Sequence, residues 1–276
     1  MKRMLAVFRR EFYGYFLTPV GYVVVGMFAA ISGIAFTLSL IGYSKMSIAP
    51  TDYGYNTTPD LGETLLSPYL VFCGMLFMFL SPLLTMRMVA EEKNRGTMEL
   101  LLTWPLRDRD IIFGKYLAGL AMLLVMLLII GVHLSLLGSL APIEPAVLVF
   151  GLLAVFLMGA AFISLGLFVS SLARNQVTSG TATFGLSLLF YVAGNLGAQL
   201  PDTNPAPAAW PEVLRAAAGH IYGLTRGLIL ELPVDTHAGE MALGVVYPRD
   251  IGYYVLFCAF FLFLTFRVFE SRNWRG

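Results

Sequence analysis

Six apolar runs, at about 20–43, 65–90, 111–140, 146–172, 177–200 and 251–269, set what this chain can become. About 20 residues of helix cross the hydrocarbon core of a bilayer. In lipid, backbone N–H and C=O groups must be satisfied within the segment or a closed barrel, so apolar runs of this length are read as helices. The chain is 58% hydrophobic and 13% charged, whereas soluble domains carry about 25% charged residues. The expected fold is an all-α membrane protein, a single domain over 1–276 with six transmembrane helices.

The stretches between the runs have distinct characters. In 1–19, Met4, Leu5, Phe8, Phe12, Tyr15 and Phe16 recur at helical spacing, while Lys2, Arg3, Arg9 and Arg10 fall mainly opposite. That pattern predicts a basic amphipathic helix lying in the membrane interface. Residues 44–64 form a polar loop, and Ala173–Gln176 is tight enough to make an antiparallel hairpin of the fourth and fifth spans. Residues 201–250 begin proline-rich; Glu212–Leu232 then places Val213, Leu214, Ala217, Ile221, Leu224 and Leu228 on one face. Short helices on the outer leaflet are expected there, before the sixth span. Gly151, Gly159 and Gly166 line the fourth span at about two-turn intervals, a spacing that lets neighbouring helix backbones approach.

Orientation follows from the cations. With an even number of spans both termini share a side, and 14 of the 18 Lys and Arg residues fall on it. Cytoplasmic loops are enriched in Lys and Arg, so both termini and the stretch 91–110 are expected in the cytoplasm.

That stretch is the densest charged segment of the chain. Glu91, Glu92, Lys93 and Arg95 extend the second span; Gly96 breaks it, being a poor helix former that accepts left-handed dihedrals. Thr97 is positioned to start a short helix to Trp104, which Pro105 stops, and Asp108 or Asp110 is placed to cap the third span. The short helix carries Glu99 and Thr103 on one face and Met98, Leu101 and Leu102 on the other. An apolar face on a charged loop is the mark of a docking peg.

Catalytic signatures are missing. Gly114-Lys115 resembles the end of a phosphate loop, but Arg109 stands where the first Gly belongs and Tyr116 where a magnesium-binding Ser or Thr belongs. His133, His220 and His237 lack metal-ligand spacing, and His133 is read as a satisfied packing residue. No Gly-x-Ser-x-Gly elbow occurs, and no carboxylate lies mid-span. Cys73 and Cys258 read as buried small hydrophobes. The chain is expected to bind no nucleic acid and no metal, and to be no enzyme by itself. An ion-coupled carrier and a non-transporting membrane assembly factor remain as alternatives to a driven permease.

The run Glu91-Glu92, a basic residue, Gly96-Thr97, Glu99-Leu100-Leu101, Pro105 and Gly114-Lys115 resembles the loop after the second span of type-2 ABC exporter permeases. Both ends of the chain look like the gliding-motility permease subfamily, with nitrous-oxide-reductase maturation permeases as relatives. The resemblance implies a bacterial inner-membrane permease that carries no cofactor and pairs with a second permease, identical or homologous. Two cytoplasmic ABC ATPase subunits would hold ATP and Mg, and an extracytoplasmic auxiliary protein would have room beside 201–250. It also implies that 91–110 is a coupling region contacting the ATPase through Glu91, Glu92, Arg95, Gly96, Thr97, Glu99, Leu100, Leu101 and Trp104. By analogy, the substrate path runs at the permease–permease interface beside the second and fifth spans, with Phe184, Phe190 and Tyr191 as its lining.

Overall fold

The computed structural model describes residues 2–97, 107–201, 203–207 and 210–271, excluding the side chains of 194–198. Among them every regular element is helical. Helix α1 (Lys2–Leu17) leads through Thr18 into α2 (Pro19–Ile48), where Pro19 sits in the first turn and has no N–H to leave unsatisfied. A 3-10 turn (Pro50–Tyr53) and a π-helical turn (Gly62–Leu66) precede α3 (Ser67–Thr85). Then come α4 (Ala90–Asn94), α5 (Asp108–Gly138), α6 (Pro145–Leu172), α7 (Gln176–Ala198), α8 (Glu212–Glu231), α9 (Thr236–Ala242) and α10 (Pro248–Glu270).

Among the described residues five helical stretches are long and apolar enough to cross a membrane: Pro19–Ile48, Gly62–Asn94, Asp108–Leu140, Pro145–Leu172 and Pro248–Glu270. The remaining expected span is α7, 23 residues long, whose apolar character is diluted by Thr178, Ser179, Thr181, Thr183 and Ser187. Ser179, Thr183 and Ser187 recur every fourth residue and are fully buried. This is a polar seam turned toward the bundle, since α7 packs on α3 and α6.

Helix α6 is the post around which the others stand, touching α3, α5, α7, α9 and α10. Its small residues mark the contacts. A Cβ at Gly151 would lie 2.5 Å from Leu70 of α3, and one at Gly159 would lie 2.5 Å from Leu123 of α5. One at Gly166 would overlap the Thr85 side chain. At Gly151 and Gly159 the crowding atoms are the ends of leucine side chains, whereas at Gly166 they include Thr85 Cβ, so the closest fixed approach is there.

Three expectations change. The second span does not run unbroken to Ala90: α3 ends at Thr85, a turn at 86–89 follows, and α4 is a separate helix. The first span extends five residues further, to Ile48, shortening the loop. Helix α1 is docked along α5 as well as amphipathic, with Val7 and Tyr15 buried. Helix α8 forms as its pattern predicts, and its apolar residues Val213, Ile221, Leu224 and Leu228 stay uncovered. The sequence pattern did not single out α9, which buries His237, Ala238, Met241 and Ala242 against α6 and α3.

The remaining titratable side chains inside the bundle are satisfied by packing. His133 meets the Tyr69 hydroxyl through Nδ1 at 2.6 Å and stacks on Phe36 at 5.0 Å. Cys73 and Cys258 are free thiols.

Candidate functional site

The charged end of the bundle is built around one buried ammonium. Lys115 lies in the second turn of α5, and its side chain is only 1% exposed. A lysine enters such a place only with partners. It has two: Glu11 of α1 at 3.1 Å and Glu92 of α4 at 3.0 Å. Arg10 closes the ring, reaching Glu92 at 2.6 Å and Glu11 at 2.5 Å. Burial alone would raise the Glu11 carboxyl, but Lys115 and Arg10 outweigh it and hold it below its ordinary value.

Gly114 makes this reach possible. A Cβ there would stand 2.8 Å from Val7 Cβ and 3.1 Å from the Met4 carbonyl. The missing side chain lets α1 lie against α5, and the next residue then meets Glu11. The Gly-Lys pair that resembles a phosphate loop is therefore a helix-contact device. Tyr15 adds a second tie, its hydroxyl donating to the Leu84 carbonyl at 3.1 Å; burial pushes that phenol well above its usual range.

Helix α4 is held equally firmly from α6. Ser170 Oγ accepts hydrogen bonds from the Val89 and Ala90 N–H groups, both at 3.1 Å. It thus serves as an N-cap supplied from another helix, satisfying donors that a helix start leaves open. In return, Lys93 Nζ donates to the Ser171 carbonyl and, at 3.4 Å, to the Ala173 carbonyl, at the C-terminal end of α6. Cations are favourable at helix C-termini. We expect Ser170→Ala to lose about 1 kcal/mol, the usual cost of losing a cap. It should lower the melting temperature of the purified protein while leaving its membrane insertion unchanged.

Glu91 bonds locally, to Arg87 at 2.7 Å and Arg95 at 2.6 Å. These pairs are partly exposed, and each is worth little. Gly96 has φ +68°, the left-handed conformation that ends α4. The Thr97 hydroxyl donates back to the Glu92 carbonyl at 3.3 Å. Between α1, α3, α4 and α5 lies a cavity of about 390 Å³, lined by Arg10, Glu11, Arg87, Glu91, Glu92, Arg95, Thr97 and Lys115 among others. Its cations and carboxylates largely match each other.

Of the residues expected to contact a partner, Glu91 and Glu92 turn inward as the base of the segment, Arg95 stays exposed while pairing with Glu91, and Gly96 and Thr97 end that base. Glu99, Leu100, Leu101 and Trp104 lie outside the described residues. Asp108 and Asp110 sit in the first turn of α5, and Arg107 occupies the N-cap position. Sequence reading missed Arg10, Glu11, Lys115 and Ser170 as members of the site. One signal was available: Glu11 is the only carboxylate before Asp52.

The aromatic residues of α7 do not gather around one space. Phe184 meets Phe79 of α3 at 5.6 Å, while Phe190 turns to Phe257 and Phe261 of α10 at 5.3 and 6.1 Å. Tyr191 is half-buried against the core.

At the opposite end, α9 is pinned to α10. His237 Nδ1 meets Asp250 at 2.8 Å, and its ring stacks on Tyr253 at 4.1 Å. Tyr254 donates to the Val234 carbonyl at 2.6 Å. Among the described residues no group of His, Cys, Asp and Glu is arranged to hold a metal ion.

No curated protein matches the chain significantly. The family model described as ABC-2 family transporter protein matches residues 38–274. That match runs from the last third of α2 through α10 and includes the second-span end, α4 and the Gly114-Lys115 start of α5. The chain therefore belongs to the ABC-2 family of membrane transport proteins.

Proposed function

We propose that this chain is the permease subunit of an ATP-driven exporter in the bacterial inner membrane, with α7 as the fifth of six spans and both termini cytoplasmic. Two ABC ATPase subunits dock beneath it, binding ATP and Mg, and a second permease, identical or homologous, completes the complex. The sequence of both ends favours the gliding-motility subfamily. Helix α8 rests its uncovered apolar face on the outer leaflet, where an extracytoplasmic auxiliary protein has access.

The observation that carries this reading is the knot at Lys115. Any push on the segment after Gly96 arrives at α4, which is bonded to α1 and α5 through Glu92 and to α6 through Ser170 and Lys93. Force passes through packed and bonded contacts, so displacement of the peg moves three membrane-embedded elements together. The peg itself is assigned to 97–104, with Glu99, Leu100, Leu101 and Trp104 entering a cleft of the ATPase. The exposed rings of Phe79 on α3 and Phe184 on α7 support assigning that face to the second permease, with the substrate path beside it.

Replacing Leu101 and Trp104 together by Asp tests the peg. In vesicles reconstituted with the ATPase, hydrolysis is expected to persist while transport falls by an order of magnitude or more, about what loss of two buried anchors removes. Full coupling in that variant overturns the assignment. An ion-coupled carrier is separated by the same assay, because its transport would follow an imposed ion gradient and ignore removal of the ATPase.

A further inference from the structure

The ring of His237 meets an acceptor on each side. Nδ1 lies 2.8 Å from Asp250 Oδ1, and Nε2 lies 3.2 Å from the Glu231 backbone carbonyl. A neutral imidazole carries one N–H and one bare nitrogen. With either tautomer, therefore, one nitrogen turns a lone pair toward an oxygen. Both contacts are hydrogen bonds only when the His237–Asp250 pair holds one proton more than a neutral ring and an ionised carboxylate supply. The pair shares that proton as a unit.

The contacts join three elements. Glu231 is the last residue of α8, His237 lies in the first turn of α9 and Asp250 in the first turn of α10. Without the extra proton the ring keeps its shorter and more deeply buried contact with Asp250, and the Glu231 carbonyl loses its donor. That loss matters because α8 buries none of its own residues. Besides its packing on α7, the bonds that hold it include Asn204 to the Arg215 carbonyl and Tyr222 to the Pro201 carbonyl, both at 2.8 Å. His237 supplies the tie at the last turn. Just beyond, the Tyr253 hydroxyl donates to the Leu232 carbonyl at 2.6 Å, a bond independent of the proton. Leu232 is thus the fixed point about which a released α8 turns.

The charged surroundings of the ring are few. The Glu231 carboxylate stands 3.6 Å from Nε2, and Arg249 reaches Asp250 at 3.5 Å. Asp235, just before α9, is half-buried, and burial pushes its carboxyl up against the opposing effect of His237. Glu240, on α9 itself, lines the same cavity of about 110 Å³, which gives water a way to the ring. Tyr253 and Tyr254 cover the ring from α10. Helices α6 and α3 pack on the other side of α9 and contain no carboxylate, lysine, arginine or histidine over Pro145–Leu172 and Ser67–Thr85. His237 is the one imidazole of this cluster.

We propose that His237 and Asp250 form a proton-operated latch: at low pH the pair fastens the C-terminal end of α8 to α9 and α10, and loss of its extra proton as pH rises releases that end. Only the placement of the latch outside the cytoplasm rests on the topology proposed above.

Double electron–electron resonance between spin labels in Ile221→Cys on α8 and Leu256→Cys on α10 tests this. Both positions are exposed, and Ile221 lies eleven residues before Leu232, so turning about that point displaces it well. The full chain is used with Cys258→Ala, since Cys73 is inaccessible. It is held in nanodiscs and diluted with unlabelled protein, so that distances within one chain are read. The distribution should be narrow at about pH 5 and gain a second, broader population at about pH 8.5, limits that bracket imidazole titration. His237→Gln should give one distribution at both pH values, whereas His220→Gln, on α8, should keep the response. If His237→Gln fails to elute as a single species, Asp250→Asn makes the same test. Removing an opposite charge this close should move the transition at least about one pH unit lower. Distances that ignore pH in the unaltered protein overturn the latch. So does a response that survives His237→Gln, disappears in His220→Gln or stays unmoved in Asp250→Asn. No readout involves the ATPase or transport, so failure here leaves the transport reading untouched.

Discussion

Lys115→Met should be the most damaging single change at the charged end. Among the described residues it removes the only Lys or Arg that is nearly inaccessible, and leaves Glu11 and Glu92, 19% and 16% exposed, facing each other with Arg10 between them. Breaking a buried ion pair from one side costs about 3–5 kcal/mol, because the remaining charge is stranded. The partial exposure of both carboxylates places the expected loss near the lower figure. By comparison, Arg87→Ala breaks a pair with 26% and 16% exposed partners and should cost under about 1 kcal/mol.

A thermal melt of the purified protein measures both, and the triple variant Lys115→Met/Glu11→Gln/Glu92→Gln discriminates the cause. If stranded charge is responsible, the triple variant recovers most of the loss. A triple variant no better than Lys115→Met would show that the ammonium matters for packing instead. Acid provides a second check. The Glu11 carboxyl is held below its ordinary value of 4.5, so its contribution is complete above that value and is lost as pH falls through the lowered one. In Lys115→Met only Arg10 still depresses Glu11, and acid sensitivity should begin at higher pH.

The second large effect is expected at Gly166. The atom that alanine adds would overlap Thr85 Oγ1 and stand 2.7 Å from Thr85 Cβ and 2.8 Å from its Cγ2. Rotation of Thr85 gives no escape, since every heavy atom of its side chain is already in the way. The threonine is fully buried, and its hydroxyl is bonded to the Ser81 carbonyl at 2.8 Å. Helices α3 and α6 must therefore separate. Overpacking typically costs about 1–3 kcal/mol for alanine-sized additions, and Gly166→Leu should abolish a monodisperse folded species altogether. Ser170, the cap of α4, lies one turn further along α6. Gly166→Ala should then weaken ATP-coupled transport more than its loss of stability explains. Adding Thr85→Ala removes two of the three clashing atoms and should restore part of both. No recovery on that addition would place the clash elsewhere.

Much of the candidate site could be read along the chain, and the contacts that could not be read share one cause. Arg87, Glu91 and Arg95 stand four apart, so their mutual pairing follows from helix geometry alone. The bonds of Glu92 within the chain could not be read this way, because they reach residues distant in sequence: Arg10 is 82 residues away. Likewise, 104 residues separate Glu11 from Lys115. Periodicity reports which face a residue occupies, and carries no information on which helix will cover that face. The same limit applies to α7: Phe184, Phe190 and Tyr191 are close in sequence, but helical rotation sends Phe184 to α3 and Phe190 to α10.

The sequence by itself determined the helical class, the approximate limits of the apolar helices and the break at Gly96, because hydrocarbon and glycine dihedrals act locally. Only the tertiary structure decided that Gly114 admits α1, that Lys115 is buried between two carboxylates, and that Ser170 caps α4 from another helix. Those outcomes depend on which surfaces of distant helices meet. That is a property of packing, and no single stretch of chain contains it.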